Sequence, residues 1–211
     1  MNTYDFDQFR IDSLDKYLKY DDYYLVGENT YRVPIITNNF NSCNKIIRIM
    51  KSEINNYAID SVEIISNNSI FNDEELIHKI QFLPVKVNES SSREPSIKLN
   101  IKSNTDYGRY KIVKFKDFSI NEEDNIEFVN EEIPIIYLQN NQEINITAYL
   151  NYGKPKEHSK YQSVSTVTMI NHEPINNRFI LEIEIIGSKT IEDILSETLE
   201  VYKMDLKTKF N

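Results

Sequence analysis

The 211-residue chain carries 24 Lys and Arg against 33 Asp and Glu, a formal net charge of -9, and is 40% hydrophobic. That is enough apolar material for a core; the acidity disfavours direct binding to a nucleic-acid backbone and suits docking on basic protein partners. A single cysteine, Cys43, excludes an internal disulfide and a Cys-based zinc or iron–sulfur site, and no run of 18 apolar residues offers a membrane span. The start Met1–Phe6 has neither the basic nor the apolar region of a secretory signal, so an intracellular protein is expected.

Residues 1–22 read as an N-terminal extension with one marginal helical stretch over Ser13–Leu18. Tyr23–Val26, a turn over 27–30 and Tyr31–Thr37 predict a hairpin with Val33, Ile35 and Thr37 on one face. Asn39, Asn41 and Ser42 are N-cap candidates for a helix from about Cys43 to Asn55, along which Ile46, Ile47, Met50 and Ile54 recur at helical spacing. Ala58–Ile65 predicts a strand, Asn67–Ser69 a break, and Asn72 with Glu75 a capped helix through about Gln81 that Pro84 ends.

Glu89–Pro95 is a Ser-rich linker, and Ile97–Ile101 and Tyr110–Ile112 predict two strands connected by a turn at 104–108. After an acidic loop at 121–125, Ile133–Leu138 is apolar on both faces, Asn140 and Asn141 supply a turn, and Ile144, Ile146 and Ala148 alternate as a half-buried strand. The run Lys154-Pro155-Lys156-Glu157-His158-Ser159-Lys160-Tyr161 is too polar for core and has the composition of a binding loop held between strands. The tail is a strand over Phe179–Ile186, a stop at Gly187, and a helix from Ile191 to about Lys207 capped by Ser188 or Thr190, with a stripe of Ile191, Ile194, Leu195, Thr198, Leu199, Tyr202 and Leu206.

Three ordered blocks of this chain, covering roughly residues 23–208, resemble the assembly subunits of multisubunit RNA polymerases: the archaeal D subunit, the third subunit of eukaryotic RNA polymerase II and, more distantly, the bacterial α subunit. One block is Ile133–Ile135, Gln142, Glu143, and Gly153, Lys154, Lys156, Glu157, His158, Lys160, Tyr161 and Val164, with Pro155 in place of a usual Gly and Ser159 of a usual Ala. A second is Asn44–Ile49, Ala58–Ile64, Asn67–Ser69, Asp73–His78 and Leu83–Val85; the third is the closing strand, Gly187 and long amphipathic helix.

The resemblance implies an α+β fold in which a discontinuous dimerisation domain, 23–86 and 161–211, is interrupted by a mainly β insert domain, 87–160. It implies a non-catalytic subunit that pairs with a smaller homologous subunit and forms the platform for the largest and second-largest polymerase subunits. DNA is met only through the complex, with no cofactor and no metal on this chain. The dimerisation contacts expected on that basis are Ile46, Ile47, Met50 and Ile54 of the first helix and Ile194, Leu195, Leu199 and Tyr202 of the last, although burial against the chain's own sheet explains such stripes equally well. The loop Lys154, Lys156, Glu157, His158, Lys160 and Tyr161 is expected to face the second-largest subunit. With only four Gly and many Asn, Ile and Tyr, the composition suggests an A/T-rich genome, such as that of a large DNA virus; the compartment would then be cytoplasm or virion, and otherwise nucleus or nucleoid.

Two other classes stand beside this reading. One is a homodimeric α-like scaffold that needs no smaller partner. The other is a small metal-dependent nuclease built on Glu182 and Glu184, which share a strand face; without a matching Asp and Lys constellation, solvated carboxylates explain that pair better. His78, His158 and His172 share no ligand spacing, and Cys43 reads as a packed thiol.

Overall fold

The computed structural model describes residues 23–36, 40–88, 95–120, 125–173 and 178–209. The expected extension 1–22, the linker at 89–94 and the acidic loop at 121–124 lie outside them, as do Thr37, Asn39 and the side chains of His172 and Leu206. Along the described chain run β1 (Tyr24–Leu25), β2 (Thr30–Ile36), α1 (Phe40–Ser52), β3 (Asn56–Asn67), α2 (Asp73–Gln81), β4 (Val85–Val87), β5 (Ser96–Lys102), β6 (Lys111–Lys114), β7 (Ser119–Ile120), β8 (Ile126–Phe128), β9 (Pro134–Leu138), β10 (Glu143–Gly153), β11 (Val164–Glu173), β12 (Arg178–Ile185) and α3 (Ile191–Lys209). The mixture is α+β with sheet predominating, as expected. None of the described helices is long and apolar enough to cross a membrane.

The chain divides into two compact units, 1–54 with 154–156 and 162–211, and 55–153 with 157–161. The first is an antiparallel sheet in the order β1-β2-β12-β11. β2 and β12 pair without a register shift, so Val33 and Ile35 of β2 stand opposite Leu181 and Phe179 of β12 and all four point into the core. Helices α1 and α3 cover that apolar face and pack against each other. Helix α1 begins and ends three residues earlier than the sequence suggests, and Ile49 joins Cys43, Ile46 and Met50 in its buried stripe. Helix α3 starts where Thr190 Oγ1 accepts the Asp193 amide at 3.2 Å and Asp193 Oδ2 accepts the Thr190 amide at 3.3 Å, so Thr190 rather than Ser188 is the cap. Gly187, at φ 84, takes the left-handed conformation that turns the chain from β12 toward this helix.

The second unit holds a sheet in the order β3-β10-β5-β7 and two ribbons, β4-β8 and β6-β9. Helix α2 is capped as expected, Asn72 accepting the Glu75 amide at 2.8 Å, and buries Leu76 and Ile80. Asn141 turns the chain at φ 61, a conformation Asn tolerates better than most residues. In this unit the strands on either side of the 104–108 and 140–141 turns do not pair with each other. The segment after 104–108 leaves β5 behind and β6 pairs with β9, while β10 pairs with β3 and β5. Each of these is a long-range pairing that turn chemistry cannot specify.

The division also differs from the expected boundaries. Within 55–86, expected in the dimerisation domain, β3 is the ladder partner of β10, and Ile59, Leu76, Ile80, Leu83 and Val85 belong to the core of the second unit. The two compact units divide after Ile54, at the end of α1.

Candidate functional site

Strand β3 carries two bulges. Against β10 the register steps from Ser61↔Tyr149 to Ile59↔Leu150, and from Ser66↔Asn145 to Ile64↔Ile146, so Asp60 and Ile65 are extra residues without a cross-strand partner. A bulge turns a side chain out of the alternation and frees its backbone groups from the ladder. Both consequences are seen at Asp60. Its carbonyl accepts Gln81 Nε2 at 2.7 Å and Lys160 Nζ at 3.3 Å, and its carboxylate accepts Lys160 Nζ at 2.5 Å and the Tyr161 hydroxyl at 3.0 Å.

The Lys160 side chain is 7% exposed and the Asp60 side chain 41%, so the carboxylate reaches inward from a partly wet position to a buried cation. Hydrogen bonding from Lys160 holds the Asp60 carboxyl below the usual carboxylate range in spite of burial. Burial, then the Asp60 hydrogen bond, push the Tyr161 hydroxyl up to about 12. Gly153 is required at the other end of the same arrangement: a Cβ there would lie 2.7 Å from two carbons of the Tyr161 ring and 3.0 Å from Glu157 Oε2.

Lys154 and Lys156 belong with the first unit. Lys154 Nζ lies 3.0 Å from Glu53 Oε2, Lys156 Nζ lies 3.1 and 3.0 Å from its two oxygens, and the Lys156 amide donates to Ser52 O at 3.3 Å. Two cations and an amide thus meet the C-terminal end of α1, where orphan carbonyls and the helix dipole favour them. Burial pushes the Glu53 carboxyl up, but Lys156 and Lys154 outweigh it and the net displacement is downward.

The charged loop is therefore largely paired with this chain's own acids: Lys154, Lys156 and Lys160 each reach a carboxylate, with Lys160 and Tyr161 turned inward and Lys156 still exposed. What faces solvent is Lys156, Glu157, His158 and Ser159. His158 Nδ1 accepts the Lys160 amide at 3.2 Å, and its ring stands 6.0 Å from exposed Phe82, itself 5.0 Å from His78.

Most of the expected dimerisation residues lie in the core of their own unit. Ile46, Met50, Ile54, Ile194, Leu195, Leu199 and Tyr202 are all at most 8% exposed and form one core with the sheet of their own unit. Ile47 alone of the eight is half-buried at the edge of that core. Half-buried Val201 and exposed Met204 lie on α3 and were missed, because a stripe of this width has edges that periodicity cannot tell from its centre. Glu53, Asp60 and Gln81 were missed as site residues; the visible signal was a carboxylate in the apolar run Ala58-Ile59-Asp60 of a chain with a lysine-rich loop.

Glu182 and Glu184 have other employment. Glu182 pairs with Arg32 across the sheet at 3.0 Å and Glu184 accepts a hydrogen bond from Ser165. Among the described residues no three His, Cys, Asp or Glu side chains converge as a metal site would require. Cys43 is fully buried and burial pushes its thiol up to about 11, which leaves it unreactive at neutral pH.

The β-rich unit, which holds most of the clasp, interrupts in sequence a unit of one sheet and two helices. Residues 47–175 match the family model described as RNA polymerase Rpb3/RpoA insert domain, and the chain belongs to that family. It is 28% identical over 154 residues to "DNA-directed RNA polymerase subunit Rpo3" of Archaeoglobus fulgidus, covering 67% of this chain and 57% of that protein. It is 31% identical over 152 residues to "DNA-directed RNA polymerases I and III subunit rpac1" of Dictyostelium discoideum, covering 59% and 44%. To "DNA-directed RNA polymerases II, IV and V subunit 3" of Arabidopsis thaliana it is 27% identical over 196 residues, covering 79% and 61%. The chain spans about half the length of the curated relatives it matches.

Proposed function

We propose that this protein is a non-catalytic assembly subunit of a DNA-directed RNA polymerase. The observation that carries the reading is the insert-domain match over more than half of the chain, joined to relatives that are themselves named as polymerase subunits. In this reading the first unit pairs with a smaller homologous subunit and the chain seats the second-largest and largest subunits, to which the phosphoryl chemistry belongs. The pairing surface is the outward side of α1 and α3, with Ile47, Val201 and Met204 in contact and the stripe behind them giving the helices rigidity. The docking element is the outward tip of the clasped loop, Glu157 and His158. The clasp gives it a fixed presentation, which lowers the conformational cost of docking.

Replacing Glu157 and His158 together by Ala is expected to weaken recovery of the second-largest subunit in a pull-down while leaving the pairing with the smaller subunit and the thermal midpoint unchanged. Rim charges of this kind affect association more than folding. Unchanged recovery, or loss of the smaller partner as well, would remove the docking role from this tip. Light scattering on the isolated chain separates the heterodimer reading, which predicts a monomer or an ill-defined oligomer, from a homodimeric scaffold.

A further inference from the structure

A groove of about 410 Å³ lies wholly within the second unit, between the last turn of α2 and the start of β9. His78, Lys79, Phe82 and Leu83 line it from the helix side, and residues 133–135 from the strand side. The strand side is shaped by a bulge: Val113 stands opposite Ile136 and Lys114 opposite Pro134, so Ile135 is an extra residue with no partner on β6. Ile136 goes into the core at 1% exposed, and the extra residue puts a second apolar side chain, Ile135, along the groove. Re-aiming a side chain in this way is how bulges serve binding sites. The lining is apolar apart from His78 and Lys79.

Lys79 brings a cation and no carboxylate lines the groove. The Lys79 ammonium stands 3.9 Å from the centre of the Phe71 ring, a contact that positions the charge without neutralising it. Among the described residues no carboxylate pairs with it, that of Glu75 one turn earlier on α2 included. Phe82 joins the groove to the outward tip of the clasped loop. Its ring is 45% exposed and lies 5.0 Å from the ring of His78 and 6.0 Å from that of His158, so tip and groove form one continuous surface of the same unit.

We propose that the docking surface of Glu157 and His158 continues over Phe82 into this groove, and that the protein docked there fills it with one aliphatic or aromatic side chain flanked by a carboxylate that meets Lys79. The inference rests on the docking reading of the tip and names the chemistry of what docks. Each part of the occupant follows from the lining: the apolar walls take a bulky apolar side chain, the unneutralised ammonium takes an acid, and continuity with His158 makes both belong to the partner of the tip. An apolar anchor seated in a pocket beside a paired charge is where protein interfaces concentrate their binding energy. A nucleic-acid strand does not fit, because one cation is too few for a phosphate backbone approaching a protein of net charge -9.

The test measures the affinity of the full chain for the second-largest subunit, with Lys79→Glu, Lys79→Arg and Phe82→Ala set beside the Glu157→Ala, His158→Ala pair. Lys79→Glu and Phe82→Ala are each expected to weaken it by about tenfold, and Lys79→Arg to preserve it. Both side chains are exposed, so the thermal midpoints should match the parent. In a second measurement, a photoreactive benzoylphenylalanine in place of Phe82 should crosslink to the second-largest subunit, at a segment where a bulky apolar residue adjoins Asp or Glu. If the tip pair weakens docking and the Lys79 and Phe82 variants do not, the groove proposal is overturned and the docking reading stands. If none of the variants weakens it, the docking reading falls and the proposal with it. A crosslink to a second copy of this chain, or to a segment without an acid, would overturn the occupant proposed.

Discussion

Replacing Met50 by Glu is expected to unfold the first unit, not merely to separate subunits. Met50 is 1% exposed in the core that α1 and α3 share with the sheet, among Phe179, Leu181 and Ile194. A carboxylate there loses its hydration, finds no cation among those neighbours, and also removes a well-packed side chain. The combined cost is about 4 kcal/mol or more, a large part of the roughly 5–15 kcal/mol that holds a domain together. Urea unfolding should show the loss directly in the chain purified alone. Ile47→Glu provides the contrast: it adds a charge at a half-buried position, so the fold should survive and pairing with the smaller subunit should fail. A Met50→Glu protein with the parent's unfolding midpoint that fails only to pair would mean that this face of α1 meets a partner and not its own sheet.

The second large effect is expected at Asp60. Asp60→Ala leaves the Lys160 ammonium, 7% exposed, with only the Asp60 carbonyl at 3.3 Å, and deprives the buried Tyr161 hydroxyl of its acceptor. Breaking a buried pair by removing one partner costs about 3–5 kcal/mol; the 41% exposure of Asp60 places this case nearer about 2 kcal/mol. The same site sets an acid limit. The Asp60 and Glu53 carboxyls titrate below their ordinary range in the folded chain, so their contribution is fully present above that range and is lost as the pH falls through the folded values. Stability should stay level from neutral pH to about pH 5 and fall below about pH 4, and the fall should be shallower in Asp60→Ala. Equal acid sensitivity in parent and variant would show that the clasp is not what acid releases.

The elements themselves were legible because each follows from a local rule. The α2 cap at Asn72, the Asn141 turn and the alternation of Phe179, Leu181, Ile183 and Ile185 need only neighbouring residues. Pairing was less legible, since whether β6 meets β5 or β9 depends on residues that are distant in sequence. The direction of the helical stripes was half legible: periodicity identified Ile46 and Leu195 as apolar-face residues but could not say that the face was already covered by the chain's own sheet. The clasped loop misled for a different reason. A run of Lys, Glu and His reads as solvated when its acids are invisible, and the acids lie at Glu53 and Asp60, about a hundred residues upstream. A bulge that turns Asp60 toward them leaves no trace in the alternation of Val62 and Ile64.

The assembly role is tested most directly by native affinity purification of the tagged chain from its own source, with mass spectrometry of what is recovered. Recovery of a smaller homologous subunit and the two largest polymerase subunits in amounts comparable to the bait is the predicted result. A chain recovered alone, or paired only with itself and with no polymerase subunit present, would contradict it.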